Sequence, residues 1–408
     1  MKAVAEATQG RALMPVEEAL ERLLTFAAAA LIRETESLAL AHCDGRVLAQ
    51  PLVASLDLPP WPNSAMDGYA VRRAEAEGEP LVVSQRIFAG QAPAPLQPGT
   101  CARIFTGAPV PEGADCVEMQ ENVEVLDDGR VHFTRALAAD QNIRPQGQET
   151  RAGEEVLAAG TRLGPIELAL AATLGVPTLS VVRRPRVAVL STGDELVDPG
   201  EPLGPGQIYN SNRQLLISWL WRLGCEPVDI GILADDLAQT RACLAGLRGI
   251  DLILSTGGVS VGEADYLGIV LREAGELDLW KLAIKPGKPL TFGHWQGVPV
   301  LGLPGNPAST LVTFGLLARP YLLRRQGVEA VTPLGIEVPA GFDWPRAGTR
   351  REYLRARLEN GQARLYPNQS SGVLRSAAWA DGLVEVPEGR TLQVGDPVRF
   401  IPLSELLG

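Results

Sequence analysis

Only four of the 37 basic residues are lysines, and three of these, Lys281, Lys285 and Lys288, fall within eight residues of one another. A chain that uses arginine nearly everywhere keeps the compact ammonium head here, as close contact with phosphate or another oxyanion requires. Two further stretches suit the same chemistry. Ser255-Thr256-Gly257-Gly258-Val259-Ser260-Val261-Gly262 supplies glycines whose N–H groups can line an anion nest, with a helix expected to start near Asp265. Pro304-Gly305-Asn306-Pro307 reads as a strand end followed by a helix start, with Asn306 as cap and Pro307 in the first turn. Acids crowd the same region: Asp194, Glu195, Asp235, Glu263 and Asp265. Carboxylates facing phosphates repel unless a cation lies between them, so Mg²⁺ is the expected cofactor.

These residues need a scaffold that brings them to one edge. Between residues 184 and 326 the pattern alternates apolar strand and amphipathic helix: Arg186 to Leu190, a helix from Asn210 to Leu223, Val228 to Ile232, a helix from Leu237 to Leu247, and Asp251 to Leu254. Near-continuous apolar strands between helices predict an α/β, doubly wound and mainly parallel sheet, whose ligands bind beyond the carboxyl ends of the strands. All the clusters above follow such strands. Residues 51–149 instead read as β-rich, with short runs such as Leu81 to Ser84, Ala102 to Phe105 and Val123 to Leu126, the last followed by the turn Asp127-Asp128-Gly129. Pro15 to Ile32 and Pro165 to Leu174 read as helices, and residues 327–408 as a second, C-terminal β domain.

Composition narrows the function classes. The chain has 408 residues, 46% hydrophobic and 21% charged, which suits two to four domains with their own cores. A net charge of −11 opposes nucleic-acid or anionic-membrane partners. The longest apolar run, Phe26 to Ile32, is far short of the roughly 20 residues that span a bilayer, and an untargeted, soluble protein is expected. Five scattered cysteines without a C-x-x-C fit a reducing cytoplasm and argue against a thiolate metal site. No G-x-x-x-x-G-K-[ST] or G-x-G-x-x-G is present, and the three histidines are far apart in sequence.

Six motifs, taken in order, carry a resemblance: Pro62 to Ala70 (Pro-Asn-Ser-Ala-Met-Asp-Gly-Tyr-Ala), Thr106 to Pro111, Ser191 to Leu196, Gly257 to Tyr266, Lys285 to Pro289 and Leu303 to Pro307. Together they resemble the MoeA family of molybdopterin molybdenumtransferases over nearly the whole chain, with a domain also found in gephyrin and in molybdopterin adenylyltransferases. The resemblance implies a homodimer of four-part subunits. These parts are a discontinuous helical connecting domain (1–50 and 150–183), a β-rich domain (51–149), an α/β molybdopterin-binding domain (184–326) and a C-terminal β domain (327–408). It implies that adenylylated molybdopterin receives molybdenum from molybdate on its own dithiolene sulfurs, with Mg²⁺-dependent release of AMP, and that the chain transiently meets the adenylyltransferase supplying the substrate. An adenylyltransferase and a gephyrin-like scaffold are the alternatives.

Carried over by position, the resemblance implies functional roles for Asp67, Thr106, Glu149, Glu195, Asp235, Asp265, Lys281, Lys285, Pro304 and Pro307. Glu195, Asp235 and Asp265 are expected to organise Mg²⁺; Lys281, Lys285 and Lys288 to meet phosphate or molybdate oxygens; Asp67 and Thr106 to close the cleft from the partner subunit. Gly257, Gly258, Ser260, Gly262, Gly305 and Asn306 complete the expected ligand-binding set, and Arg350 and Ser371 resemble oxyanion-binding positions. Two departures from the family pattern stand out: Pro62 where an acid is common, and Glu149 where Asp is usual. The extra methylene of Glu149 moves a carboxylate by roughly 1 Å, a large step in a preorganised site.

Overall fold

A computed structural model describes residues 13–258, 266–274 and 277–408. The chain forms two compact units, one of residues 13–49, 160–164 and 178–408 and the other of 50–159 and 165–177.

The larger unit is built on a six-stranded sheet in the order Glu226–Leu233, Arg186–Thr192, Leu252–Thr256, Val298–Leu303, Pro289–Trp295, Leu277–Lys281. The first four strands are parallel; Pro289–Trp295 runs antiparallel to its neighbours on both sides. The predicted mainly parallel sheet is therefore present, with one reversed strand entered from the Lys285–Lys288 turn. Val187, Val189, Leu252, Leu254 and Leu301 pack on one face with Leu216, Trp219 and Leu220 of the helix Ser211–Arg222, while Ala188, Leu190, Ile253 and Val300 face the opposite way into a second core. The two-residue alternation places successive side chains on opposite faces, and both faces are covered.

The predicted N-terminal helix runs Val16–Ala29, and Val16, Ala19, Leu23 and Ala27 form the buried stripe at helical spacing. These residues join the main core, where Phe26 stacks on Phe292 with ring centroids 4.9 Å apart. The segments expected to form one helical part also contain strands: Thr35–Ala39 pairs antiparallel with Thr178–Val182. The second predicted helix, Pro165–Thr173, packs in the smaller unit. Residues around Val181 and Val182 favour a strand because β-branched side chains fit a pleated, half-buried surface.

The C-terminal β region is present, but one of its strands comes from outside it. Its sheet has the order Ile284–Lys285, Arg351–Glu359, Gly382–Val386, Pro397–Pro402, Ile336–Pro339, and Ile284–Lys285 lies parallel to Arg351–Glu359 with Lys285 opposite Glu352. The lysine turn thus joins the larger unit's two six-stranded sheets.

The smaller unit carries a four-stranded sheet, Val82–Ile87, Thr100–Ile104, Gly68–Val71 and Cys116–Met119. Tyr69, Val71, Cys101 and Cys116 pack on one side, Ala70, Ala102, Ile104 and Val117 on the other. The predicted Val123 strand closes a hairpin with Val131–Phe133 across the Asp127-Asp128-Gly129 turn, Gly129 taking φ 82°.

Candidate functional site

The carboxyl ends of Arg186–Thr192, Leu252–Thr256 and Val298–Leu303 meet at one edge, as the sequence predicts. Their backbones approach so closely that side chains are excluded: a Cβ on Gly257 would lie 2.6 Å from the Thr192 carbonyl oxygen, and Gly257 has φ +81°. The strand ends are stapled together. Gly257 N–H donates to the Leu303 carbonyl at 3.2 Å, Asn212 Nδ2 to the Gly305 carbonyl at 2.6 Å, and Thr310 Oγ1 to the Pro304 carbonyl at 2.6 Å.

Two cavities open beside this edge and share Gly257, Gly305 and Asn306. The first, about 550 Å³, is lined by Gly257, Gly258, Lys285, Pro286, Gly287, Lys288, Pro289, Pro304, Gly305, Asn306, Ser309, Arg350, Gln369, Ser370 and Ser371. Among the described residues, three cations and no carboxylate line it. Beneath them Glu352, only 6% exposed, sits 3.1 Å from Lys285 Nζ, which fixes the ammonium while leaving it half exposed. Arg350 is held by a 3.1 Å bond from Nη1 to the Ile284 carbonyl. Such a chamber suits a small, multiply charged oxyanion.

The second cavity, about 520 Å³, is lined by Thr192, Glu195, Leu196, Ile208, Tyr209, Asn210, Ser211, Asn212, Thr256, Gly257, Gly305, Asn306, Pro307, Gly372 and Leu374. Among the described residues, Thr192 Oγ1, Asn210 Nδ2 and Asn212 Oδ1 have no hydrogen-bond partner. Buried polar atoms are normally satisfied, so this unmet capacity marks a polar ligand site. Asp235 N–H donates to Asp194 Oδ1 at 3.0 Å, and burial together with the charges of Asp194 and the cavity-lining Glu195 raises the Asp235 carboxyl above its ordinary value. Mutual repulsion of this kind is what a divalent cation relieves, so the donors suit Mg²⁺; among the described residues, however, no three His, Cys, Asp or Glu side chains are arranged to hold a metal.

The structure therefore divides the predicted site into a basic chamber, with Lys285, Lys288, Arg350 and Ser371, and a polar one, with Glu195 and Pro307. Asp235 and Lys281 line neither. Ser260, Gly262, Glu263 and Asp265 lie outside the described residues. Asn306 occupies the N-cap position of Pro307–Thr313 and its backbone carbonyl accepts from Thr310, but, contrary to expectation, its side chain makes no capping bond. Asp67 and Thr106 belong to the smaller unit, where Asp67 Oδ1 accepts from both Thr106 N–H and Oγ1 at 2.8 Å. These bonds, the backbone one foremost, hold the exposed Asp67 carboxyl below its ordinary value. Glu149 is exposed in the same unit, its N–H donating to the Leu58 carbonyl at 2.9 Å.

Sequence reasoning missed Ser309, Gln369, Ser370, Asn210 and Asn212 as lining residues. Asn-Ser-Asn at 210–212 carried a signal, three polar residues opening a helix at a sheet's carboxyl edge, but it also suits plain capping; Asn210 does cap, accepting from Arg213 N–H. Gln369 and Ser370 carry no local signal, since a distant strand brings them to the cavity.

Comparisons with known proteins agree with this architecture. Residues 14–175 match the MoeA N-terminal region (domain I and II), 188–324 a probable molybdopterin binding domain, and 337–403 the MoeA C-terminal region (domain IV). The chain is 38% identical to a molybdopterin molybdenumtransferase of Haemophilus influenzae, over 92% of this chain and 95% of that one, and 32% identical to one of Bacillus subtilis, over 97% and 95%. A crystal structure of the molybdopterin biosynthesis moeA protein of Pyrococcus horikoshii superposes with a TM-score of 0.82 at 29% identity, covering 96% of this chain and all of that one.

Proposed function

The chain belongs to the MoeA family, and from that premise we propose that it is a molybdopterin molybdenumtransferase acting in molybdenum cofactor biosynthesis. The observation that carries the reading is the pair of adjoining cavities, one cationic and one polar, on a shared floor of Gly257, Gly305 and Asn306. A ligand with an oxyanion-receiving end and a nucleotide end would need two such chambers side by side.

In this reading molybdate enters the basic chamber, where Lys285, Lys288, Arg350 and the Ser371 hydroxyl meet its oxygens. Adenylylated molybdopterin presents its dithiolene sulfurs there, and they displace molybdate oxygens, which leave as water after protonation. The adenylate end lies toward Glu195 and the unpartnered Asn210 Nδ2 and Asn212 Oδ1. Water cleaves the phosphoanhydride, and AMP leaves. Glu195, Asp235 and Asp265 would hold Mg²⁺, which supplies charge neutralisation for the departing phosphate. Lys281 would add positive potential at the same sheet edge. In a homodimer, Asp67 and Thr106 of the partner subunit would complete the cleft, the Thr106 bonds keeping Asp67 ionised. A cytoplasmic location and a handover from the adenylyltransferase belong to the same proposal. The adenylyltransferase alternative is not favoured, since the curated relatives reported above bear the molybdenumtransferase name.

Incubation of the protein with adenylylated molybdopterin, molybdate and Mg²⁺ tests this reading. Stoichiometric AMP and molybdenum-loaded cofactor are expected. Net formation of the adenylate from ATP, without metal insertion, would overturn it.

A further inference from the structure

Arg355 is fully buried in the strand Arg351–Glu359, at 0% exposure, yet among the described residues no carboxylate pairs with it. Among the described residues its guanidinium bonds neutral acceptors: Nε donates to Ser376 Oγ at 3.1 Å, Nη2 to the Ser370 carbonyl at 3.1 Å and Nη1 to the Tyr353 carbonyl at 3.5 Å. Its backbone clasps the same segment, Arg355 N–H donating to Gln369 Oε1 at 2.9 Å while Gln369 Nε2 donates back to the Arg355 carbonyl at 2.9 Å. Gln369, Ser370 and Ser371 line the basic chamber. From the other side, Ala308 N–H donates to the Ser371 carbonyl at 2.9 Å.

A buried cation without a counter-ion is costly, and burial alone lowers this guanidinium to about 10. Among the unit's other buried arginines, Arg46 meets the Glu36 carboxylate, while Arg319 and Arg325 bond neutral acceptors away from the chamber: the Val331 carbonyl for Arg319, the Asp251 carbonyl and the Tyr321 hydroxyl for Arg325. At Arg355 the charge is left open directly behind the wall of an anion chamber. We propose that Arg355 is a positioning residue for oxyanion binding, fixing the Gln369–Ser371 wall of the chamber and supplying a buried positive charge whose counter-ion is the bound anion. The inference rests on the reading of that chamber as the oxyanion site. It separates two layers of charge: Arg350, Lys285 and Lys288 touch the ligand, while Arg355 acts through the segment they face.

Calorimetric titration of the full-length protein with sodium molybdate tests the proposal. Arg355→Met is expected to weaken binding at least tenfold. Arg355→Lys is expected to stay within threefold of the parent at pH 6. Between pH 6 and 9 it should then lose at least fivefold more affinity than the parent, because burial pushes an amine down until it releases its proton and with it the charge. A purely structural role would not produce that slope. Arg350→Ala, which removes a group lining the chamber, serves as the control and is expected to lose at least tenfold. If Arg350→Ala weakens binding and Arg355→Met stays within twofold, this inference falls and the chamber assignment stands. If neither variant changes binding, the chamber assignment itself falls. An Arg355→Lys variant as weak as Arg355→Met at pH 6 would also overturn the proposal, as would a profile parallel to the parent's; that profile decides alone should Arg355→Met fail to fold.

Discussion

The two edges of the central sheet handle charge in opposite ways. At the amino ends of the parallel strands a network of opposite charges closes on itself: Asp251 takes Arg183 Nη1 at 2.8 Å and Nη2 at 3.1 Å and the Arg186 N–H at 2.7 Å, and Arg186 Nε reaches Glu226 at 3.1 Å. At the carboxyl ends, among the described residues, three cations and no carboxylate line a chamber, and three buried polar atoms lack partners. Both edges hold the same strands in register, so fold stability alone does not account for the difference. Paired charge closes one edge; unpaired charge keeps the other ready for a ligand.

Substitutions at the two edges should therefore separate activity from stability. The largest effect is expected for Lys285→Ala, with turnover reduced at least 100-fold through loss of a cation at the chamber. It also strands Glu352, at a cost of about 1–2 kcal/mol, below the value for a fully buried pair because Lys285 is half exposed. Adding Glu352→Gln should restore most of that stability, measured by urea unfolding, and none of the turnover. Recovered activity in the double variant would break the contrast.

Gly257→Ala should come next, at roughly 2–3 kcal/mol, because it forces a side chain into positive φ and into the Thr192 carbonyl. Urea midpoints measure the loss, and molybdate affinity should fall with it since Gly257 borders both cavities. At the opposite edge, Asp251→Asn should cost about 2 kcal/mol with kcat within twofold of the parent. A large kcat loss there would blur the distinction.

The smallest effect lies in the pH dependence of stability. Burial alone would raise Asp251, but the bonds from Arg183 and the Arg186 N–H outweigh it and hold the carboxyl below its ordinary value. A depressed folded value means that Asp251 contributes its stability above the unfolded pKa, about 3.9, and loses it as pH falls through the folded one. Unfolding free energies should drop more steeply below about pH 4 in the parent than in Asp251→Asn, so the two converge in acid.

The legible parts of the molecule were those governed by short-range pattern. Leu216, Trp219 and Leu220 announced a helix that packs on a sheet, and Gly257 and Pro304-Gly305 announced the edge where strands end. The lysine cluster was legible as chemistry because the chain otherwise uses arginine. What escaped was set by long-range pairing. Nothing local tells that Ile284–Lys285 joins the C-terminal sheet or that Arg355 clasps Gln369 across 14 residues. Asn306 misled because its position suits side-chain capping, whereas in the fold it holds that position without the capping bond and borders both cavities.

The central claim is that the basic chamber at the carboxyl edge receives the oxyanion. A crystal of the full chain soaked in tungstate, a heavy isostere of molybdate, tests it most directly through anomalous scattering. The strongest tungsten peak is expected among Lys285, Lys288, Arg350 and Ser371. A chamber without tungsten, with the anion bound at another site, would contradict it.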